Sequence, residues 1–279
     1  MQRVAIAGVS GQLGERLIQA LEQTLPSGFL LGLDERMPTS SRSLLFFRHS
    51  LRISFCHFIL EHWIDTLYYV APLRDPDAVD MLREALHRGN LQRLVLVQQA
   101  ELEAERVPVE GASGDWSGLG TSFLEEHPEV SVVKVWVPPL LAPGRVEGWS
   151  RGLLAPVVWL PRSLMELRVC HPDDAVAALV ALGSAEVRGP VDIGPTEGLS
   201  WLELIRTLRR PVLPVPRRVL RLLAHRDPLP EAQAAHSPDW RALRALLQTH
   251  PPTKPVEAVL PFRHQYSTRE ALHAYVRSV

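Results

Sequence analysis

Val4-Ala5-Ile6-Ala7-Gly8-Val9-Ser10-Gly11-Gln12-Leu13-Gly14 is the stretch that decides the fold, and it stands near the amino end of a 279-residue chain. Its first four residues form an apolar run of strand character, and its glycines recur at three-residue intervals. Leu17, Ile18, Leu21 and Leu25 then repeat at helical spacing, so the segment reads as strand, tight turn and helix. Residues without Cβ let a backbone come close to a pyrophosphate. The helix that follows turns its free N–H groups and the positive end of its dipole toward that anion. The spacing Gly-x-x-Gly-x-x-Gly differs from the general dinucleotide fingerprint, and alone it equally describes a turn that only packs strand on helix. Its context favours binding. The next apolar run, Phe29 to Leu33, ends at Asp34, where a carboxylate can hold the ribose hydroxyls of an adenosine. The expected cofactor contacts are Gly8, Ser10, Gly11, Gln12, Leu13, Gly14, Asp34 and Arg36. Asp34 repels a 2′-phosphate and favours NAD slightly, whereas Arg36 attracts one, so NADP stays open.

Outward from this turn, strands and helices alternate. Leu44 to Phe47, Thr66 to Val70, Leu94 to Val97 and Val130 to Val137 read as strands, the last stopped by Pro138-Pro139. Phe55, Phe58, Ile59 and His62 suggest a helix, and Asp75-Pro76-Asp77 starts another that Gly89-Asn90 ends. The alternation specifies an α/β fold, a Rossmann-type doubly wound parallel sheet, over residues 1–145. From 146 to 279 proline and arginine become frequent, and a smaller mixed C-terminal region is expected. There a strand near 167–170 should return to the main sheet. A helix should follow from Asp173-Asp174 to Gly183, with the aspartates as its caps. Ser200 with Glu203, and Ser267 with Glu270, form capping boxes. Pro211 to Pro216 and His250 to Pro255 read as surface connections.

Hydrophobic residues make up 46% of the chain, enough to bury a full core. The formal net charge of -1 gives no global reason to expect nucleic acid, although total charge hides local patches. No apolar run is long enough to span a bilayer, so no membrane partner is expected. Cys56 and Cys170, the two cysteines, sit in apolar settings that suit reduced thiols and a cytoplasmic protein.

The chain resembles the extended short-chain dehydrogenase family, in particular its NAD-dependent epimerase and dehydratase branch. The resemblance rests on the opening stretch, on Gly32-Leu33-Asp34 and on Leu94-Val95-Leu96-Val97. It continues through Leu167-Arg168-Val169-Cys170-His171-Pro172-Asp173-Asp174-Ala175-Val176, through Val191-Asp192-Ile193-Gly194 with Ser200-Trp201-Leu202-Glu203, and through Pro261 to Leu272. It implies a bound NAD or NADP, a small-molecule or nucleotide-sugar-like ligand shaped by the C-terminal region, and a homodimer. It also implies a tyrosine and a lysine four residues apart on one helix face, with a serine at the end of the fifth strand. The lysine cation and the cofactor lower the phenol pKa, so the tyrosine can exchange protons with a substrate hydroxyl during hydride transfer.

That machinery is missing. Tyrosine occurs only at 68, 69, 266 and 275, and lysine only at 134 and 254, so no pair has the required order and spacing. Gln98-Gln99 stands in the serine's place, and Trp116 lies in the glycine-rich segment 114–120 where the tyrosine belongs. His49-Ser50 follows the third strand and Ala71-Pro72 the fourth, further departures along the cofactor groove. The reading is therefore an NAD(P)-binding epimerase-like protein without the usual catalytic pair, serving as a cofactor-dependent binding or regulatory module. The alternatives are a nucleotide-sugar epimerase, dehydratase or reductase with atypical acid and base groups, and a non-catalytic assembly subunit.

Other residue sets offer weaker chemistry. Cys170 and His171 are adjacent on a strand and face opposite ways. His57 and His62 stand about 140° apart on a helix, which suits packing better than a metal. Glu101, Glu103 and Glu105 read as a solvated loop at the expected cleft mouth, and Trp116 and Trp136 as core or cleft wall.

Overall fold

The computed structural model describes residues 2–39, 43–51, 53–71, 76–99, 123, 125–144, 150–155, 157–161, 166–216, 218–219 and 253–278. Strand β1 (Arg3–Ala7) leads through the glycine turn into α1 (Gln12–Thr24), followed by β2 (Phe29–Asp34) and β3 (Leu45–Arg48). Helix α2 (Cys56–Glu61), β4 (Thr66–Tyr69), α3 (Pro76–Arg88), β5 (Arg93–Gln99) and β6 (Ser131–Val137) complete the first part. The second part comprises α4 (Ser150–Leu154), β7 (Val158–Pro161), β8 (Glu166–Leu167), α5 (Pro172–Ser184), β9 (Gly189–Asp192) and β10 (Leu199–Ser200). It ends with α6 (Trp201–Leu208), β11 (Val212–Val215), β12 (Lys254–Pro255), α7 (Val256–Val259) and α8 (Thr268–Arg277).

Eight strands form one sheet in the order β12-β9-β6-β5-β4-β1-β2-β3, and every pairing is parallel. The chain moves outward from β1 to β3, then crosses back and moves the other way from β4. The order thus reverses between β1 and β4, and in doubly wound sheets ligands bind at the carboxyl ends of the strands beside such a reversal.

Alternation along the strands divides the core in two. Val4, Ile6, Tyr68, Val95, Val97, Val133 and Val135 pack with Leu13, Leu17, Ile18 and Leu21 of α1 and Leu179 and Leu182 of α5. Ala5, Ala7, Leu31, Leu67, Tyr69, Leu94, Leu96 and Val132 pack on the opposite face with Phe55, Ile59, Leu82 and Phe123. A third core gathers Leu141, Leu153, Val158, Leu160, Leu204, Leu208, Leu272 and Tyr275. Helix α5 crosses Tyr68 so closely that a Cβ on Gly183 would lie 1.5 Å from the phenol oxygen. Only glycine fits there.

Four expectations change. The segment near 167–170 does not return to the main sheet: β8 pairs antiparallel with β10, and Cys170 makes an isolated bridge with Leu140. The return is made by β9 and by β12, the latter inside a stretch that reads as surface connection. Likewise Val212–Val215, between prolines, pairs with β7. Such short proline-bearing strands have little local signal and form only where a partner edge waits. Lastly, α5 is capped by His171, whose Nδ1 accepts the Asp173 N–H at 3.3 Å, and not by an aspartate.

Candidate functional site

The glycine turn sits at the carboxyl end of β1, beside the reversal of strand order. Gly8 has φ +93°, a left-handed conformation, and a Cβ there would come within 2.6 Å of the Ala71 nitrogen after β4. Its N–H donates to the Leu33 carbonyl at 3.0 Å. A Cβ on Gly14 would lie 2.2 Å from the Gly8 carbonyl oxygen, so this glycine lets α1 close onto the turn. Gly11 is different. It is the N-cap of α1 with no side-chain cap, and a Cβ there would meet nothing nearer than the Gly8 oxygen at 3.9 Å. Space is therefore open at the amino end of α1, whose first-turn N–H groups have no side-chain partner from the cap. By contrast α5 is capped by His171, and α6 and α8 carry the capping boxes that Ser200 and Ser267 announce.

Asp34 stands at the end of β2 as expected and is joined to the turn. Its Oδ2 accepts the Ser10 N–H and the Ser10 hydroxyl, both at 2.8 Å, and its Oδ1 accepts the Glu35 N–H at 2.7 Å. A carboxylate has about four acceptor positions, and the fourth is met only by the distant Arg36 N–H. The sequence singles out Ser10 only as a cofactor contact; its tie to Asp34, which fixes the turn against β2, has no signal in a single sequence. Arg36 is exposed, with its backbone N–H 3.5 Å from Asp34 Oδ1.

Gln98 and Gln99 end β5, half-buried, in register with Trp136 and Val137 of β6. The Gln98 Oε1 is buried and has no hydrogen-bond partner among the described residues. Trp116 and the glutamates at 101, 103 and 105 lie outside the described residues. Tyr68, Tyr69 and Tyr275 are fully buried, two of them in the sheet's core layers and the third bonded to the Ser150 hydroxyl at 3.0 Å. Burial pushes the Tyr68 and Tyr69 phenols well above their ordinary range. Tyr266 stacks on the His171 ring at 4.0 Å. Three of the phenols are thus enclosed in the cores, and Tyr266 is half-buried.

The remaining sets are also structural. Burial drives the Cys170 thiol far up, and the neighbouring His171 serves as a helix cap. His57 is exposed against Phe58, and His62 lies between Phe29 and Phe47. Among the described residues no group of histidine, cysteine or carboxylate side chains is arranged to hold a metal. Asp174, fully buried, accepts the N–H groups of Gln265 and Tyr266 at 2.9 Å each and so ties α5 to the C-terminal segment. Asp173 instead pairs with Arg16 of α1 across the surface.

No family model and no curated protein matches the chain. Solved structures do. MoeE5 in complex with UDP-glucuronic acid and NAD is 18% identical, with a TM-score of 0.67 over 99% of this chain and 98% of that one. The dTDP-glucose 4,6-dehydratase of Bacillus anthracis in complex with NAD is 11% identical, with a TM-score of 0.67 over 100% and 96%. UDP-glucose 4-epimerase of Thermus thermophilus with NAD is 15% identical, with a TM-score of 0.64 over 99% and 98%. The chain shares the fold of these epimerase and dehydratase structures. Within it, the glycine turn, Asp34 and the end of β5 occupy the carboxyl edge of the sheet, while the third core stands beside the carboxyl end of β6 through Leu141. Among the described residues no helix is long and apolar enough to cross a membrane.

Proposed function

We propose that this protein binds NAD(H) at the glycine turn and acts on a nucleotide-sugar-like ligand as an atypical epimerase, dehydratase or reductase. Its proton-transfer groups would be other than a tyrosine and lysine pair. The observation that carries the reading is the open, uncapped amino end of α1 set beside Asp34 at the reversal of strand order. Open space and free amides suit a diphosphate. The carboxylates of Asp34 and Glu35 at the ribose position disfavour a 2′-phosphate, which supports NAD over NADP. The likeness to structures that hold NAD and nucleotide sugars supports the ligand class, with the region after residue 145 shaping its pocket. The two buried free thiols agree with a cytoplasmic setting.

A second reading has its own support. Three of the four tyrosines are sealed in cores, which fits a module that binds the dinucleotide without turning substrate over. One experiment separates the two. Calorimetric titration with NAD(H) and NADP(H) is followed by incubation of the complex with UDP- and dTDP-sugars, monitoring reduced nicotinamide and sugar products. Binding with turnover supports the enzyme, and binding alone supports the module. Failure to bind either dinucleotide refutes both and leaves an assembly subunit.

A further inference from the structure

The outer face of α6 lies apart from the dinucleotide site and has an unusual composition. From Leu204 to Arg226 the chain carries arginine at 206, 209, 210, 217, 218, 221 and 226, and no aspartate or glutamate. The whole chain has a formal net charge of -1, so this run is strongly segregated from the acidic remainder. Leu204 and Leu208 anchor α6 in the third core. Leu202, Ile205, Arg206 and Arg209 follow at the spacing that places side chains on one helix face, and all four are exposed. Leu202 is 57% and Ile205 39% exposed, and beyond the helix Leu213 and Val219 are each 42% exposed, with Arg218 exposed beside them. Arg210 is the exception, since its guanidinium donates inward to the Leu153 and Ala155 carbonyls. The one acid of α6, Glu203, is occupied by Ser200 and by Arg269 at 2.8 Å.

Aliphatic side chains stand exposed here among arginines, of which Arg206 also feels the Glu203 carboxylate, and such a mixture is costly in water and matches one kind of surface well. We propose that this face docks on an anionic lipid bilayer surface, with Leu202 and Ile205 entering the headgroup boundary and Arg206, Arg209 and Arg218 meeting lipid phosphates. Aliphatic insertion together with basic attraction is the pattern of interfacial helices. A nucleic acid fits less well, because Leu202 and Ile205, exposed between the arginines, offer neither an aromatic ring for a base to stack on nor a charge to meet a phosphate. Association of this kind needs no membrane-spanning segment. It departs from the expectation of no membrane partner, which rested on span length.

The test is sedimentation of the full chain with vesicles of phosphatidylcholine alone and of phosphatidylcholine with phosphatidylglycerol, at low and raised salt. Binding is expected only to the anionic vesicles, and it should weaken with salt. Arg206→Glu with Arg209→Glu should weaken it by roughly 25-fold or more, at about fivefold for each arginine. Leu202→Ser with Ile205→Ser should weaken it while leaving the salt dependence in place. All four positions are exposed, so thermal unfolding should be unchanged, and the salt response of the unaltered protein gives a readout free of folding effects. No vesicle binding, equal binding to neutral vesicles, or indifference to both double substitutions overturns the proposal. So does arginine-dependent binding of an oligonucleotide in place of vesicles.

Discussion

Gly11 and Gly14 are three residues apart in the same turn, yet a side chain would meet opposite circumstances at each. Gly11 has φ -79° and ψ 160°, an ordinary extended N-cap conformation, and open space around its missing Cβ. Aspartate is a favoured N-cap, so Gly11→Asp should leave the unfolding midpoint unchanged or slightly raised. The new carboxylate would stand in the phosphate position and accept the amides meant for it. Dinucleotide affinity should fall by roughly a hundredfold or more, given a repulsion of about 4 kcal/mol between charges 4 Å apart near a protein surface. Calorimetry beside a melting curve checks both halves, and retained affinity would move the cofactor elsewhere. Gly14→Ala should instead destabilise the fold by about 1–3 kcal/mol, because its methyl group collides with the Gly8 carbonyl. Urea denaturation measures that loss directly.

At the scale of elements, α5 connects acid titration to stability. Burial holds the His171 imidazole below its ordinary value despite the nearby aspartates, so the folded state prefers the neutral ring. Its contribution is intact above the unfolded value of about 6.5 and is lost as the pH falls below that, toward the lower folded value. Burial raises the Asp174 carboxyl, but nearby His264 and the Gln265 and Tyr266 N–H groups outweigh it and hold the carboxyl below its ordinary range. That contribution is present above the unfolded value of about 3.9 and goes as the pH falls further. Asparagine is a good N-cap without a titrating ring, so His171→Asn should flatten the stability profile between pH 7 and 5 that the unaltered protein shows. An unchanged slope in denaturation midpoints would count against this account. Legibility followed the same lines. Strands β1 to β6 declare themselves because each is a run of apolar residues, and both serine capping boxes are local patterns that the structure keeps. Strands β9 and β12 do not, for Gly189-Pro190 and Lys254-Pro255 have no strand character without β6 and β9 to pair with. The tie of Asp34 to Ser10, and of Asp174 to Gln265, joins positions far apart in sequence through one or two hydrogen bonds, which no spacing rule encodes.

For the molecule as a whole, the C-terminal segment holds the two regions together. Lys254–Pro255 completes the main sheet, while Ala271, Leu272 and Tyr275 fill the third core. Leu272→Ala, at a fully buried site, should cost about 2–5 kcal/mol in a denaturant titration. NAD at a hundred times its dissociation constant should in turn stabilise the native state by about 2.7 kcal/mol, seen as a concentration-dependent melting temperature. The order in which the sheet is laid down has a further consequence during synthesis. Strand β9 takes its place beside β6, but its outer neighbour, β12, is translated some sixty residues later. At roughly 5–20 residues per second, a nascent polypeptide carries that bare backbone rim for several seconds before it can be covered. Ribosome pausing inside this interval would lengthen the window in which two unfinished copies can zip together, making translation speed a determinant of yield.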